Sequence, residues 1–167
     1  LLSLQRRRAN GVTLQGNYTF SHCIGDAMSD MGPGNTYPDR RRAERGNCNG
    51  DLRHVANGSV VVETPRFANN VARTLGSGWQ VSGIVRLQSG PYFTITSGVD
   101  TALIGNRNGE RADQILANPY HADKTIDHWL NRDAFKTPAT GQWGNAASNI
   151  QGPGVITVNM GLSRTFS

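Results

Sequence analysis

Apolar and polar residues alternate along the segment "GVTLQGNYTFS", residues 11–21. One parity is apolar or glycine and the positions between are polar; the first set is Val12, Leu14, Gly16, Tyr18 and Phe20. A period of two predicts a β-strand, because successive side chains point to opposite faces of a sheet. The alternation leaves open whether the apolar face meets a protein core or lipid.

Four further segments alternate in the same way, and together the five predict an all-β protein, an antiparallel meander of long strands. The predicted strands cover about residues 1–7, 12–23, 52–64, 79–97 and 155–167. The first two are joined by "RRANG", whose Asn-Gly pair favours a tight hairpin turn. The alternation is imperfect, since three large apolar residues fall on the polar parity: Val55, Val61 and Ile84.

The connections between these strands differ in length. Residues 24–51 and 98–154 form long loops, whereas the first two strands and the third and fourth have short connections. Loops beyond about 15 residues are uncommon in compact soluble domains. Short turns at one rim and long loops at the other are typical of outer-membrane β-barrels. The sequence therefore predicts two long extracellular loops, with at most a short helix within residues 122–135.

Aromatic residues cluster near the predicted strand ends, as the interfacial girdles of a membrane barrel require. Tyr18, Phe20, Tyr92 and Phe93 are predicted at the outer rim, and Trp79 and Phe166 at the inner rim. A continuous strand from Trp79 to Phe93 would rise about 33 Å at a tilt near 45°. Arg164, near a strand end, could extend its charged group to the interface.

Composition narrows the class of protein. The 167 residues contain 37% hydrophobic residues and 20 glycines, which indicates a folded chain. The formal charge is +5, but the basic residues are scattered apart from runs at 5–11 and 39–46 that are typical of solvated loops, so we expect no nucleic-acid partner. No stretch reaches the roughly 18 consecutive apolar residues of a spanning helix. A helical membrane protein is therefore excluded, but a spanning barrel is not.

Three segments carry a family resemblance: "DLRHVANGSVVVETP", "GWQVSGIVRLQSGPYFTITSGVD" and "IQGPGVITVNMGLSRTFS". In this order and spacing they resemble late barrel strands of large TonB-dependent outer-membrane receptors, the kind with an N-terminal carboxypeptidase-regulatory-like domain. The hairpin "LQRRRANGVTLQGNYTFSHCIGDAMSD" and the loop element "WLNRDAFKTP" are similar to that family as well. The resemblance implies part of a 22-stranded barrel in the bacterial outer membrane, filled by a plug domain.

The same resemblance implies the partners. These are outer-membrane lipid, the plug and remaining strands, the TonB complex and an extracellular solute that the sequence does not identify.

The chain departs from the family pattern in two respects. The plug, the TonB-contacting segment and the final strands are not found in residues 1–167, so we expect the chain to be part of a larger receptor. The connection between the third and fourth strands is also shorter than usual.

A second hypothesis is a soluble extracellular β-sandwich or adhesin-like binding module. Such a fold needs a second apolar layer to cover the first. The out-of-step residues Val55, Val61 and Ile84 are the positions from which that layer would have to come.

Candidate chemistry is sparse. Cys23 and Cys48 bracket the first long loop, and in an extracellular compartment they would be permitted to form a disulfide; two unpaired cysteines are the alternative. Two loop clusters could suggest metal binding, but neither matches a zinc or calcium motif; they are His121, Asp123, Asp127 and His128, and Asp100, Glu110 and Asp113. No nucleophile with a base is evident, so we expect no catalysis, no cofactor and no metal.

Overall fold

The computed structural model describes residues 1–25, 45–105, 110–146 and 148–166. Its strands, in chain order, are β1 (Leu2–Ala9), β2 (Val12–Phe20), β3 (Ile24–Gly25), β4 (Gly46–Asn47), β5 (His54–Glu63), β6 (Trp79–Gln88), β7 (Tyr92–Phe93), β8 (Asp113–Gln114), β9 (Phe135–Lys136), β10 (Ile150–Gln151) and β11 (Val155–Arg164). Helix α1 covers Asn70–Gly76, and a 3₁₀ helix covers Arg132–Ala134. Most of the first predicted loop, residues 26–44, lies outside the described residues.

Five long strands form one antiparallel sheet in the order β1-β2-β5-β6-β11. Each strand therefore pairs with the long strand that precedes it, and the predicted five-stranded antiparallel meander is confirmed. This sheet and its short connections form a compact unit of Leu1–Phe20, His54–Ser89 and Gly154–Ser167, which we call the strand unit.

The short connections of the strand unit follow from local chemistry. Asn10 and Gly11 both have positive φ, 52° and 77°, as a two-residue hairpin turn requires. A side chain at Gly11 would also meet the carbonyl oxygen of Glu63, so only glycine fits there. The connection between β5 and β6 contains α1, which the sequence did not predict; Asn69 caps it by accepting a hydrogen bond from Val71 N, 2.9 Å away.

The fourth long strand is shorter than predicted. It ends at Gln88 instead of continuing to residue 97. Pro91 has no N–H to donate to a ladder, and Gly90 lies so close to the backbone of Gly152 that no side chain could be accommodated. The second long strand also ends early, at Phe20 rather than residue 23.

Residues Ser21–Arg53 and Gly90–Pro153 form a second compact unit, which we call the loop unit. Its strands pair in three short antiparallel ladders: β3 with β4, β7 with β10, and β8 with β9. The two long loops are joined by backbone hydrogen bonds, from Asn47 N to Ser148 O at 3.1 Å and from Gly50 N to Tyr92 O at 2.9 Å. The helix expected within residues 122–135 is only the 3₁₀ turn.

Burial differs between the units. The buried described residues lie in the loop unit, where apolar and polar groups mix; they include Ala112, Ala134, Ala146, Ile150, Thr101, Glu110, Arg111 and Ser148. In the strand unit, every side chain whose burial the structure describes keeps part of its surface exposed. The loop unit thus has a small core of its own, whereas no side chain of the sheet whose burial is described is buried on either face.

Candidate membrane-facing surface

One face of the five-stranded sheet is predominantly apolar, with Arg6 and Arg164 on its two edge strands as the described arginines. The pairing register sets apolar residues or glycines opposite one another in rows across four strands: Val12, Val62, Val81 and Leu162; Leu14, Val60, Gly83 and Met160; Gly16, Gly58, Val85 and Val158; Tyr18, Ala56, Leu87 and Ile156. Leu2 and Leu4 of β1 extend two of these rows. The larger of these side chains are well exposed, with Met160 at 78%. A continuous exposed apolar surface of this extent marks a binding or membrane surface.

The opposite face is polar. Residues such as Thr13, Gln15 and Arg86 point to it, and Asn57 Nδ2 donates a hydrogen bond to Asn17 Oδ1 at 2.9 Å. The out-of-step apolar residues lie here too, but each has polar neighbours on both adjacent strands. These neighbours are Thr19 and Gln88 for Val55, Thr13 and Ser82 for Val61, and Ser59 and Asn159 for Ile84. They therefore form no second apolar layer, and the β-sandwich hypothesis loses the support it needed.

Strand length is the next property of this surface. The five long strands contain 8, 9, 10, 10 and 10 residues, and a membrane-spanning β-strand needs about 9–11 residues at a tilt near 45°. Because β6 ends at Gln88, the predicted rise of about 33 Å from Trp79 to Phe93 is wrong for this sheet; ten residues rise about 21 Å at that tilt.

The two ends of the apolar face differ chemically. At the end from which the long loops leave, which we call the loop rim, Tyr18 Oη lies 2.7 Å from His54 Nδ1, and the Phe20 ring centroid is 5.5 Å from that of His54. At the opposite end, the turn rim, the Arg164 guanidinium lies 5.2 Å from the Trp79 ring centroid and 4.7 Å from that of Phe166.

Tyr92 and Phe93 lie outside this surface. Both belong to the loop unit, where β7 pairs with β10 instead of continuing the sheet. The Arg53 guanidinium lies 5.1 Å from the Tyr92 ring centroid. Their placement at the outer rim assumed a fourth strand reaching residue 97, so the loop rim of the sheet is formed by Tyr18 and Phe20.

A disulfide joins Cys23 and Cys48 at the base of the first long loop, with the Cα atoms 5.3 Å apart. The Asp51 carboxylate stabilises the base of this loop by accepting hydrogen bonds from Cys23 N at 3.4 Å and from Ser21 Oγ at 3.2 Å. Arg53 contacts that carboxylate at 3.8 Å and donates to Asn47 Oδ1 at 2.7 Å. Covalent and polar contacts together fix this loop base.

Two acidic residues organise the second long loop. The Glu110 carboxylate, only 1% exposed, accepts hydrogen bonds from the Thr101 hydroxyl at 2.6 Å and from Ala102 N at 3.0 Å. Asp100 accepts from the backbone N–H groups of Ile104 and Gly105 at 2.9 and 2.8 Å. The pKa of Asp100 is lowered, mainly by its side-chain hydrogen bond with Glu110 and further by these N–H groups. Both carboxylates thus hold loop backbone.

The structure also places the two loop clusters of His, Asp and Glu residues that match no metal motif. His121 Nδ1 lies 3.9 Å from Asp123 Oδ2, and the His121 and His128 ring centroids are 5.7 Å apart. Asp113 instead accepts a hydrogen bond from Asn145 N. Within residues 1–25, 45–105, 110–146 and 148–166, no group of three or more His, Cys, Asp or Glu side chains could hold a metal ion.

Comparison with known families decides what the apolar face meets. The family described as "Outer membrane beta barrel domain" matches the chain over residues 1–167. The chain belongs to this family. No curated protein and no solved structure matches it. As an outer membrane beta barrel domain, the chain resides in the bacterial outer membrane, and its apolar face is the one that meets lipid.

No helix among the described residues is both long enough and apolar enough to cross a membrane.

The lipid-facing assignment of the barrel domain predicts opposite outcomes at two neighbouring positions. Val85 lies on the apolar face and Ile84 on the polar face, both near the middle of β6. Val85→Arg should destabilise the membrane-inserted protein by about 2–4 kcal/mol, because it places a charge against the bilayer core. Ile84→Arg should cost much less. Urea unfolding of the full-length protein in lipid vesicles measures both; equal losses would contradict the assignment.

The disulfide of the barrel domain predicts a chemical result. Peptide mapping of the unreduced, membrane-assembled protein should recover the peptides of Cys23 and Cys48 as one linked species. Reduction should speed amide exchange at Ser21–Gly25 and at 45–51, because the bridge contributes about 3 kcal/mol of chain constraint in the entropic description. Exchange of β6 serves as the internal control. Free thiols on both cysteines before reduction would show that no bridge forms.

Proposed function

We propose that this chain forms barrel wall and extracellular loops of a TonB-dependent outer-membrane receptor that takes up a solute or binds a surface ligand. The observation that carries the proposal is the apolar face, in register across β2, β5, β6 and β11 and extended by β1, with long loops leaving one rim. The receptor type within the barrel family is supported by the resemblance of the strand segments and the first hairpin to that class.

The orientation follows from the lengths of the connections. In outer-membrane barrels, short turns face the periplasm and long loops face the outside. The Asn10-Gly11 turn and the α1 connection both lie at the turn rim, and the chain leaves for both long loops at the loop rim. We therefore infer that the turn rim is periplasmic and the loop unit extracellular, where a disulfide is chemically permitted.

The polar face of the sheet would line the lumen. A 22-stranded barrel is wide enough to need an internal plug, and amide, hydroxyl and guanidinium groups such as those of Gln15, Asn57 and Arg86 suit contact with a folded domain and water. The proposed partners are therefore outer-membrane lipid, the plug and remaining barrel strands, the TonB complex and an extracellular solute. No nucleic-acid partner and no catalytic role are proposed.

The loop unit would form part of the ligand-facing surface. Its buried groups, its disulfide and the hydrogen bonds that join the two long loops give it a defined shape rather than that of a free linker. Binding surfaces are commonly built from loops held by a rigid scaffold. We propose recognition and passage of a solute as the role of this region.

The orientation is tested by labelling intact cells. A cysteine introduced at Ile126, which is 89% exposed in the loop unit, should react with a membrane-impermeant maleimide from outside. A cysteine introduced at Ala68, exposed in the connection between β5 and α1, should react only after the outer membrane is permeabilised. The reverse pattern would overturn the proposed orientation.

The receptor type is tested with the full-length protein. Purified and inserted into planar bilayers, it should show no steady open conductance, because the plug occludes the lumen, and it should bind the periplasmic domain of TonB in a pull-down. An unrelated open porin is the control for conductance and for non-specific capture. A large steady conductance without TonB binding would indicate a passive pore.

A further inference from the structure

The connection between β5 and β6 is fastened to the lipid-facing side of the turn rim. Trp79 and Arg164 are cross-strand partners on the apolar face. Trp79 Nε1 donates to Leu75 O at 2.8 Å, and Arg164 Nη2 donates to Thr74 O. Both acceptors are carbonyls in the last turn of α1, which lack partners within the helix. Two side chains from the membrane-facing surface therefore hold the end of α1 beside that surface.

Helix α1 exposes apolar side chains at this position. Val71 and Leu75 are four residues apart, so they share one helix face, and they are 69% and 65% exposed. Arg73 projects from the opposite face. A helix with an apolar face and a basic face, placed at the edge of a membrane-spanning surface, has the pattern of a segment that lies in the lipid interface.

The charges at the turn rim are mostly positive. A surface cavity of about 1090 Å³ is lined there by three arginines, Arg66, Arg73 and Arg164, and by one acidic residue, Glu63. Among the described residues, none of these arginines forms an ion pair with a carboxylate. Arg73 donates to the neutral Asn70 Oδ1 at 2.7 Å, and Arg164 donates to a backbone carbonyl. The guanidinium groups at this site could therefore contact an anionic ligand.

The cations of the apolar face show the same bias. Among its described side chains, the arginines are Arg164, in the row at the turn rim, and Arg6, which lies two rows further in and pairs with Leu14. At the loop rim the corresponding strand ends carry Leu2, Phe20 and His54. Of these two arginines, Arg164 lies at the turn rim, and neither lies at the loop rim.

We propose that the turn rim binds the phosphate group of an anionic phospholipid in the adjoining leaflet. Val71 and Leu75 enter the acyl boundary, and the guanidinium groups of Arg66, Arg73 and Arg164 contact the phosphate, with Trp79 and Phe166 flanking Arg164. The occupant is a lipid because the site is continuous with the membrane-facing surface and complementary in charge to a phospholipid headgroup. The proposal requires the sheet to span a membrane and is independent of what the receptor takes up.

Lipid retention by the full-length protein tests this proposal. The protein is reconstituted in vesicles of phosphatidylcholine mixed with phosphatidylglycerol and extracted into mild detergent. Bound phosphatidylglycerol is then counted by native mass spectrometry. Removing two rim charges in R66Q/R73Q should weaken phosphatidylglycerol binding by about thirtyfold, as expected for two basic residues near an anionic lipid surface.

Matched variants separate the contributions. R132Q/K136Q removes two exposed charges of the loop unit and should leave retention unchanged. V71S/L75S keeps the charge and should also weaken retention, because the acyl contact is lost. Heat-modified gel mobility verifies that each variant is folded. Equal retention by R66Q/R73Q and R132Q/K136Q would overturn the proposal. Displacement of the lipid by inorganic phosphate at matched concentration would overturn it as well, since the site would then bind free anions.

Discussion

The pairing register of the five long strands is the constraint on which the membrane-facing surface depends. Side chains alternate with a period of two, so a slip of one residue in any pair would turn a strand's apolar residues to the lumen and its polar residues to lipid. Three of the four pairs keep one register along their length. The shift in the fourth falls between Arg6 and Ala9, beside the turn and beyond Leu2 and Leu4. The apolar rows therefore remain intact.

The two units use different means to stay folded. The sheet has no buried side chain among those described, so its apolar face gains nothing from a protein core and depends on lipid and on its ladders of backbone hydrogen bonds. The loop unit has the opposite organisation. A carboxylate buried as deeply as that of Glu110 would be costly if left unpaired, and its hydrogen bonds to Thr101 and Ala102 remove that cost while fixing the loop backbone. Each unit is thus suited to its own solvent.

Sequence pattern predicted the part of the fold that local periodicity governs. Alternation located the long strands and the lipid-facing parity, and Asn10-Gly11 located the hairpin. The end of the fourth strand was missed because the alternation resumes on the same parity at Phe93 and Ile95, although Pro91 was the available signal. Tyr92 and Phe93 pair with β10, whose position is set by the fold of a long loop and not by neighbouring sequence. Similarly, nothing local indicated that Glu110 is buried.

Helix α1 shows how a short connection can add to a surface that alternation alone describes incompletely. Its signals were present in the sequence, an Asn69 cap and apolar residues at Val71 and Leu75, but seven residues are too few for a helical period to stand out. The helix is held by Trp79 and Arg164, and these occupy the row of the apolar face nearest the turn rim. Arg164 therefore has three roles. It lies against the Trp79 and Phe166 rings, it donates a hydrogen bond to a helix carbonyl, and it places a cation where the apolar band ends. The loop rim carries Tyr18, Phe20 and His54 at the equivalent level, so the two ends of one surface differ in their side-chain chemistry.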